Sequence, residues 1–277
     1  MAMVLALGGN SLSALDMPAL TLDAKIGFET EYVERGRKEG KQNFQMAAEL
    51  GMPFLGGQVY AGASSVLMLE DILIDGDPMG SLNQVHPYVG FSHDVVGWFT
   101  ADLGIAANLY TNGSETITRG WGFPRNTTEV YVGAMVDVPF TPKGYLSYDF
   151  DREELDMVLS ANYSYDLGTL GLSHLVFEGN GFFGYNYTKR PYGIKNFFAS
   201  DGGLRPNETK DYFYFGLGAD LVYKYNEQAS IKAGVRYSTN GNSKQGWVNS
   251  TMGLPVDDGV LRSRNLVWFA GSVEFSF

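Results

Sequence analysis

Three histidines, His86, His93 and His174, are the side chains best suited to moving protons near neutral pH. A hydrolytic centre would pair one of them with a serine within hydrogen-bond reach. His93 and His174 fall in or beside predicted turns, and His86 precedes Pro87 near the start of a predicted strand. No spacing ties a serine to any of the three, so no catalytic residue is assigned. Carboxylates offer a second chemistry. Glu70-Asp71, Asp75 and Asp77 cluster in one polar stretch, and Asp257-Asp258 sit in another. Such hard oxygen ligands can hold calcium, but their spacing is not that of an EF-hand loop, and acidic loops are ordinarily just solvated. No metal and no other cofactor is expected. The Asn-x-Ser/Thr triplets at Asn112, Asn126 and Asn249 read as loop chemistry rather than glycan sites.

Most other charges obey a simpler rule: they alternate with apolar residues. Leu22, Ala24, Ile26, Phe28, Thr30 and Tyr32 share one face of an extended segment, with Asp23, Lys25, Gly27, Glu29 and Glu31 on the other. Phe99, Ala101, Leu103, Ile105 and Ala107 oppose Trp98, Thr100, Asp102, Gly104 and Ala106, and Val130, Val132 and Ala134 oppose Glu129, Tyr131 and Gly133. Near the end, Val267, Phe269, Val273 and Phe275 oppose Trp268, Ser272 and Glu274. This period of two recurs about twelve times, which makes the chain all-β. Hydrophobic residues at 44% exclude a disordered chain, and a net charge of −11 argues against nucleic acid as a partner. No run of about eighteen apolar residues is present, which excludes a transmembrane helix. The absence of cysteine suits passage through an oxidising compartment.

Alternation fits a soluble sandwich as well as a membrane barrel. Three features favour the barrel. Many segments run to about ten residues, the length that crosses a bilayer at a tilt. Aromatics gather near segment ends (Phe28 and Tyr32, Tyr110, Tyr163 and Tyr165, Tyr185 and Tyr187, Tyr223 and Tyr225) as an interfacial girdle would require. The connections also alternate. Short ones are expected around residues 53–57, 93–96, 139–143, 167–173 and 226–228. Long ones are expected around 34–41, 69–83, 111–125, 189–210 and 239–264, with 151–154 short on the long side. The expectation is a single closed antiparallel barrel of about twelve strands over residues 17–277, with both termini periplasmic. Residues 1–16, a short apolar run followed by small residues, read as a signal-peptide remnant or disordered N-terminus.

The polar face then lines a lumen. The predicted lining comprises Asp23, Lys25, Glu29, Glu31, Glu49, Asp102, Glu129, Tyr131, Asp156, Glu178, Asp220, Lys232, Arg236 and Trp268, joined by Asp137, Asp149 and Glu274. Acids on this face outnumber the bases Lys25, Lys232 and Arg236, and a bare buried charge is prohibitive, so a wet, acidic pore is expected. Passive diffusion of small cationic or neutral solutes follows. Inward Tyr60, Tyr88, Trp98, Tyr131 and Trp268 would allow stacking on nucleosides as a variant. Two alternatives stand beside the channel: a plugged structural or surface-interaction barrel, and an outer-membrane lipid hydrolase. Most bases, including Arg35, Arg37, Lys38, Lys41, Arg119, Arg125, Arg152, Lys189, Arg190 and Arg262, fall in connections. There they are expected either to meet the phosphates of lipopolysaccharide or simply to be solvated.

Two resemblances bear on identity. Phe277, with Phe275 two residues before it, resembles the terminal signature of bacterial outer-membrane proteins, which implies recognition by the barrel-insertion machinery. Gly271 sits one position off the commonest form of that signature. Residues 26–36 (IGFETEYVERG), 58–62 (QVYAG), 128–133 (TEVYVG) and 145–151 (YLSYDFD) look like the TorF-type outer-membrane porins. The resemblance spans about residues 20–185 and implies a small barrel and a pore, without catalytic residues or an established substrate.

Overall fold

The computed structural model describes residues 20–69, 73–74, 77–78, 83–111, 126–188, 210–240 and 265–277. Twelve long strands form the wall: β1 (Thr21–Glu29), β2 (Asn43–Phe54), β3 (Gly57–Met68), β4 (Gln84–Val96), β5 (Phe99–Tyr110), β6 (Thr127–Val136), β7 (Lys143–Asp149), β8 (Glu154–Asp166), β9 (Leu175–Thr188), β10 (Lys210–Lys224), β11 (Ala229–Asn240) and β12 (Asn265–Ser276). Each pairs antiparallel with its neighbours in sequence, and β1 pairs with β12 to close the cylinder. Mutual backbone hydrogen bonds between Leu22 and Phe277 extend the seam to the last residue. Closure satisfies every strand edge internally, which a sheet in hydrocarbon needs. The all-β, twelve-strand expectation is met.

Outward residues are apolar and bare. Leu103, Leu159 and Phe269 are 58, 65 and 65% exposed, and Ile26, Phe44, Val132, Phe213 and Leu217 stand with them. A continuous apolar patch of this extent is untenable in water but is what a bilayer solvates.

Connections at the two rims differ. At the rim carrying both ends of the described barrel, the turns are tight. Leu55 and Gly56 both have positive φ (48° and 76°) between β2 and β3, the primed geometry that matches strand twist. Asp166 accepts from the Gly168 N–H at 2.8 Å to start a 3₁₀ turn, Leu167–Leu170, after β8. One expected turn is displaced. β4 continues through 93–96, with an irregular register between Asp94 and Val96, and the turn falls at Gly97-Trp98. An extra residue in one strand breaks the period-two count. Trp98, lying in that turn, sits on the rim, 58% exposed and edge-on to Phe99, not in the lumen.

At the opposite rim the first long connection folds inward. β1 ends at Glu29, and after a bend Tyr32–Glu34 pairs with Arg37–Gly40 as a short hairpin. Tyr32 leaves the expected girdle, is 8% exposed, and its hydroxyl donates to Gln84 Oε1 at 3.2 Å. Tyr110 leaves it too, because its hydroxyl accepts from Arg152 Nη2. The expectation for residues 1–16 and most of the connections at 69–83, 111–125, 189–210 and 239–264 lie outside the described residues.

Candidate functional site

Strand register decides which inner side chains meet, and a recurring pair builds one wall. Tyr60 lies opposite Gly90, Tyr88 opposite Gly62, Tyr131 opposite Gly104 and Tyr145 opposite Gly133. In each case the tyrosine ring or hydroxyl sits 2.3–2.6 Å from where a Cβ on the glycine would be. The glycine leaves room for the ring to lie along the wall instead of standing across the lumen. Hydrogen bonds fix the array. Tyr60 and Tyr145 donate to the two oxygens of Asp102 at 2.6 and 2.8 Å, the Tyr60 and Tyr131 hydroxyls meet at 2.8 Å, and Tyr88 donates to Glu49 at 2.8 Å. Glu49 faces Asp23 across β1 and β2, and both line a 920 Å³ cavity at the turn-end mouth with Tyr88.

The wall across the lumen, β9–β12 with β1, is built from ion pairs. Lys232 lies 2.8 Å from Glu178 and 3.0 Å from Glu274, Arg236 lies 2.8 Å from Asp220, and Lys25 lies 3.6 Å from Glu274. Trp268 Nε1 donates to Glu29 at 3.0 Å. The charged groups, Glu29 among them, line a polar chamber of 220 Å³ shared with Asn162 and Asn180, room for several waters.

A third cluster closes on the inward hairpin. Its tip, Arg35-Gly36, has positive φ at both residues (48° and 73°). From there the Arg35 guanidinium reaches three wall carboxylates: Glu154, Glu129 at 2.7 Å and Asp156 at 3.7 Å. Tyr214, itself opposite Gly184, donates to Asp156 at 2.9 Å, and Asn186 donates to Glu154 at 2.6 Å. Asn240 Nδ2 and the Tyr212 hydroxyl hold the hairpin backbone through Gly36 O and Arg35 O at 2.8 and 3.2 Å. Glu154 is 1% exposed, and a carboxylate that dry needs a full opposite charge.

Comparison with solved structures matches this architecture to barrels of the outer membrane. The chain is similar to an outer membrane channel from Pseudomonas putida F1, with a TM-score of 0.52 and 6% identity over 96% of this chain and 100% of that one. The chain folds as a bacterial outer-membrane β-barrel. Lower-scoring likenesses include the KdgM porin (TM-score 0.42, 11% identity, 93% of this chain and 99% of that) and LpxR from Salmonella typhimurium (0.46, 9%, 91% and 99%). No protein-family model and no curated protein matches the chain.

All fourteen residues expected to line the lumen are among the described ones, and thirteen lie on strands whose inner face they share. Glu31 is the exception, lying in the bend after β1. Asp137 sits in the exposed turn after β6, while Asp149 is buried and 3.6 Å from Arg152. Two bases expected at the outer rim are thus inside: Arg35 and the nearly buried Arg152. Period-two reading missed them because they lie in connections, and missed Glu154 because it abuts one. Tyr214 was obscured by the unbroken aromatic run Tyr212-Phe213-Tyr214-Phe215. The histidines disperse. His86 lies between Asn108 Oδ1 and Gln84 Oε1, His93 contacts Gly56 O, and His174 packs against Tyr223. Among the described residues no serine hydroxyl bonds a histidine.

Proposed function

We propose that this barrel is an outer-membrane channel for passive diffusion of small cationic or neutral solutes, related to the TorF-type porins. One observation carries the reading. Glu49 and Asp102 are held by phenols, with no ion pair to a base among the described residues. Phenols stabilise a carboxylate without cancelling its charge, so these two groups draw cations and repel anions within about a Debye length, roughly 10 Å at 0.1 M salt. In a planar bilayer under a salt gradient, the reconstituted protein gives a cation-selective reversal potential that fades as salt rises. The double change Glu49→Gln with Asp102→Asn reduces it. Anion selectivity in the unaltered protein overturns the reading. Glu129 is spared in this test, because it is a partner of Arg35.

The inward hairpin favours a second reading, a plugged barrel. Absence of current in the unaltered protein, with current appearing when residues 32–40 are replaced by a short Gly-Ser link, would select it. In either case we assign the turn-end rim and both termini to the periplasm. A tag near Thr141 should then be reached only after outer-membrane disruption, and tags near Gly202 or Asn242 on intact cells. Recognition of Phe277 by the insertion machinery and contact of the loop bases with lipopolysaccharide belong to the same proposal. A lipid hydrolase has no support from the histidine environments.

A further inference from the structure

The four-tyrosine wall combines two properties that together define a ligand. The hydroxyl ends of Tyr60, Tyr88 and Tyr131 and the ring edge of Tyr145 sit over glycines of neighbouring strands, all four side chains keep partial exposure, and the rings are inclined to one another, by 61° for Tyr60 and Tyr88 and 56° for Tyr131 and Tyr145. The rings are also close: Tyr60 and Tyr88 centroids are 6.2 Å apart, and those of Tyr131 and Tyr145 6.3 Å. Their hydroxyls are already committed to Asp102, to Glu49 and to one another. Recognition of a nucleobase or sugar draws on free donors as well as acceptors, and here the four phenol O–H donors are already taken. What remains on offer is the electron-rich ring face, made richer by donation to a carboxylate, and the negative charge of Asp102 and Glu49 beside it. A small hard metal ion gains little from ring faces and would have to strip Asp102 of two phenols. A bulky, weakly hydrated cation uses both features at once.

We propose that this wall is a binding site for an organic ammonium ion, entered from the turn-end cavity that Tyr88 and Glu49 line. The proposal goes beyond the channel reading, since binding requires access from one mouth and no through-path.

Calorimetric titration of the whole purified barrel in a maltoside detergent tests it, avoiding choline or amine-oxide headgroups that would compete. Choline chloride should bind saturably at constant ionic strength. Its neutral isostere 3,3-dimethylbutan-1-ol should bind at least about tenfold more weakly, because charge supplies the attraction to both ring and carboxylate. No saturable choline signal, or equal binding of the isostere, overturns the proposal using unaltered protein alone. Variants then locate the site. Tyr131→Leu should weaken choline about threefold or more, and Tyr131→Phe should stay within about twofold because the ring face survives. Equal affinity in Tyr131→Leu, with heat-modifiable gel mobility showing a folded barrel, overturns the placement. A barrel that binds choline but passes no current retires the channel and leaves this site standing.

Discussion

Two regions of the lumen hold their carboxylates by opposite means. Beneath the inward hairpin, Glu129, Glu154 and Asp156 converge on the single guanidinium of Arg35. On the tyrosine wall, Asp102 takes two phenols and Glu49 one. The difference follows hydration. Glu154 and Asp156 are buried, whereas Asp102 and Glu49 keep partial exposure to the lumen. Dehydrating a carboxylate costs several kcal/mol, which only a well-placed opposite charge offsets. A wet carboxylate needs less, and hydrogen bonds to a charged acceptor contribute about 1.5–3 kcal/mol each. Burial thus selects the partner, and the partner decides whether net charge survives in the lumen.

The largest expected effect tests that rule directly. Arg35→Met leaves three acids around an apolar stem and should cost about 3–5 kcal/mol if they stay dry, read as a lowered urea midpoint for the heat-modifiable form. Asp102→Asn keeps an acceptor for at least one phenol and should cost about 1 kcal/mol in the same assay. Comparable losses in the two variants would break the distinction. If water follows the loosened hairpin inward, the loss shrinks, and conductance rises in step.

Next comes the geometry of the tyrosine wall. A Cβ at Gly104 would meet the Tyr131 hydroxyl at 2.3 Å and Val89 O at 2.6 Å, whereas Gly97, in its turn, has nothing within 4 Å. Gly104→Val should destabilise by about 1–3 kcal/mol through overpacking, and should push the Tyr131 ring off the wall. Gly97→Ala should be neutral within about 0.5 kcal/mol by the same urea midpoint. Equal effects would mean that the glycine–tyrosine pairing is incidental.

That pairing also marks how far the sequence could be read. Alternation placed Glu129, Tyr131 and Gly133 on one face, and Asp102 with Gly104 on one face, because a strand's geometry is periodic along the chain. Which residue faces which across strands depends on register, and the Tyr131–Gly104 partnership becomes visible only once β5 and β6 are aligned. Irregularities defeated the rest. The turn after β4 fell at Gly97-Trp98 rather than at 93–96, which put Trp98 on the rim, and the bend after Glu29 turned Tyr32 and Arg35 inward. Arg35 was the costliest omission. The acids of its cluster looked unanswered, when their partner lay in a connection that no periodicity describes.

The smallest expected effect lies on the ion-paired wall, where hydration varies within one cluster. Lys25 and Lys232 both reach Glu274, but the Lys25 side chain is 47% exposed and 3.6 Å away, while Lys232 is 22% exposed and also holds Glu178. An exposed pair gains little Coulomb energy in high dielectric and loses side-chain entropy, so its net worth is about 0–1 kcal/mol. Lys25→Gln should therefore shift the urea midpoint by no more than about 0.5 kcal/mol at 0.1 M salt, and by less at 1 M, where the Debye length falls to about 3 Å. Lys232→Gln should cost more, about 1–2 kcal/mol, since it takes the base from Glu178 and leaves Glu274 only the more distant Lys25, in a less hydrated place, and added salt should recover less of the loss. If Lys25→Gln proves the more damaging of the two, hydration is not what grades the lumenal charges, and the contrast between the Arg35 cluster and the tyrosine wall needs another cause.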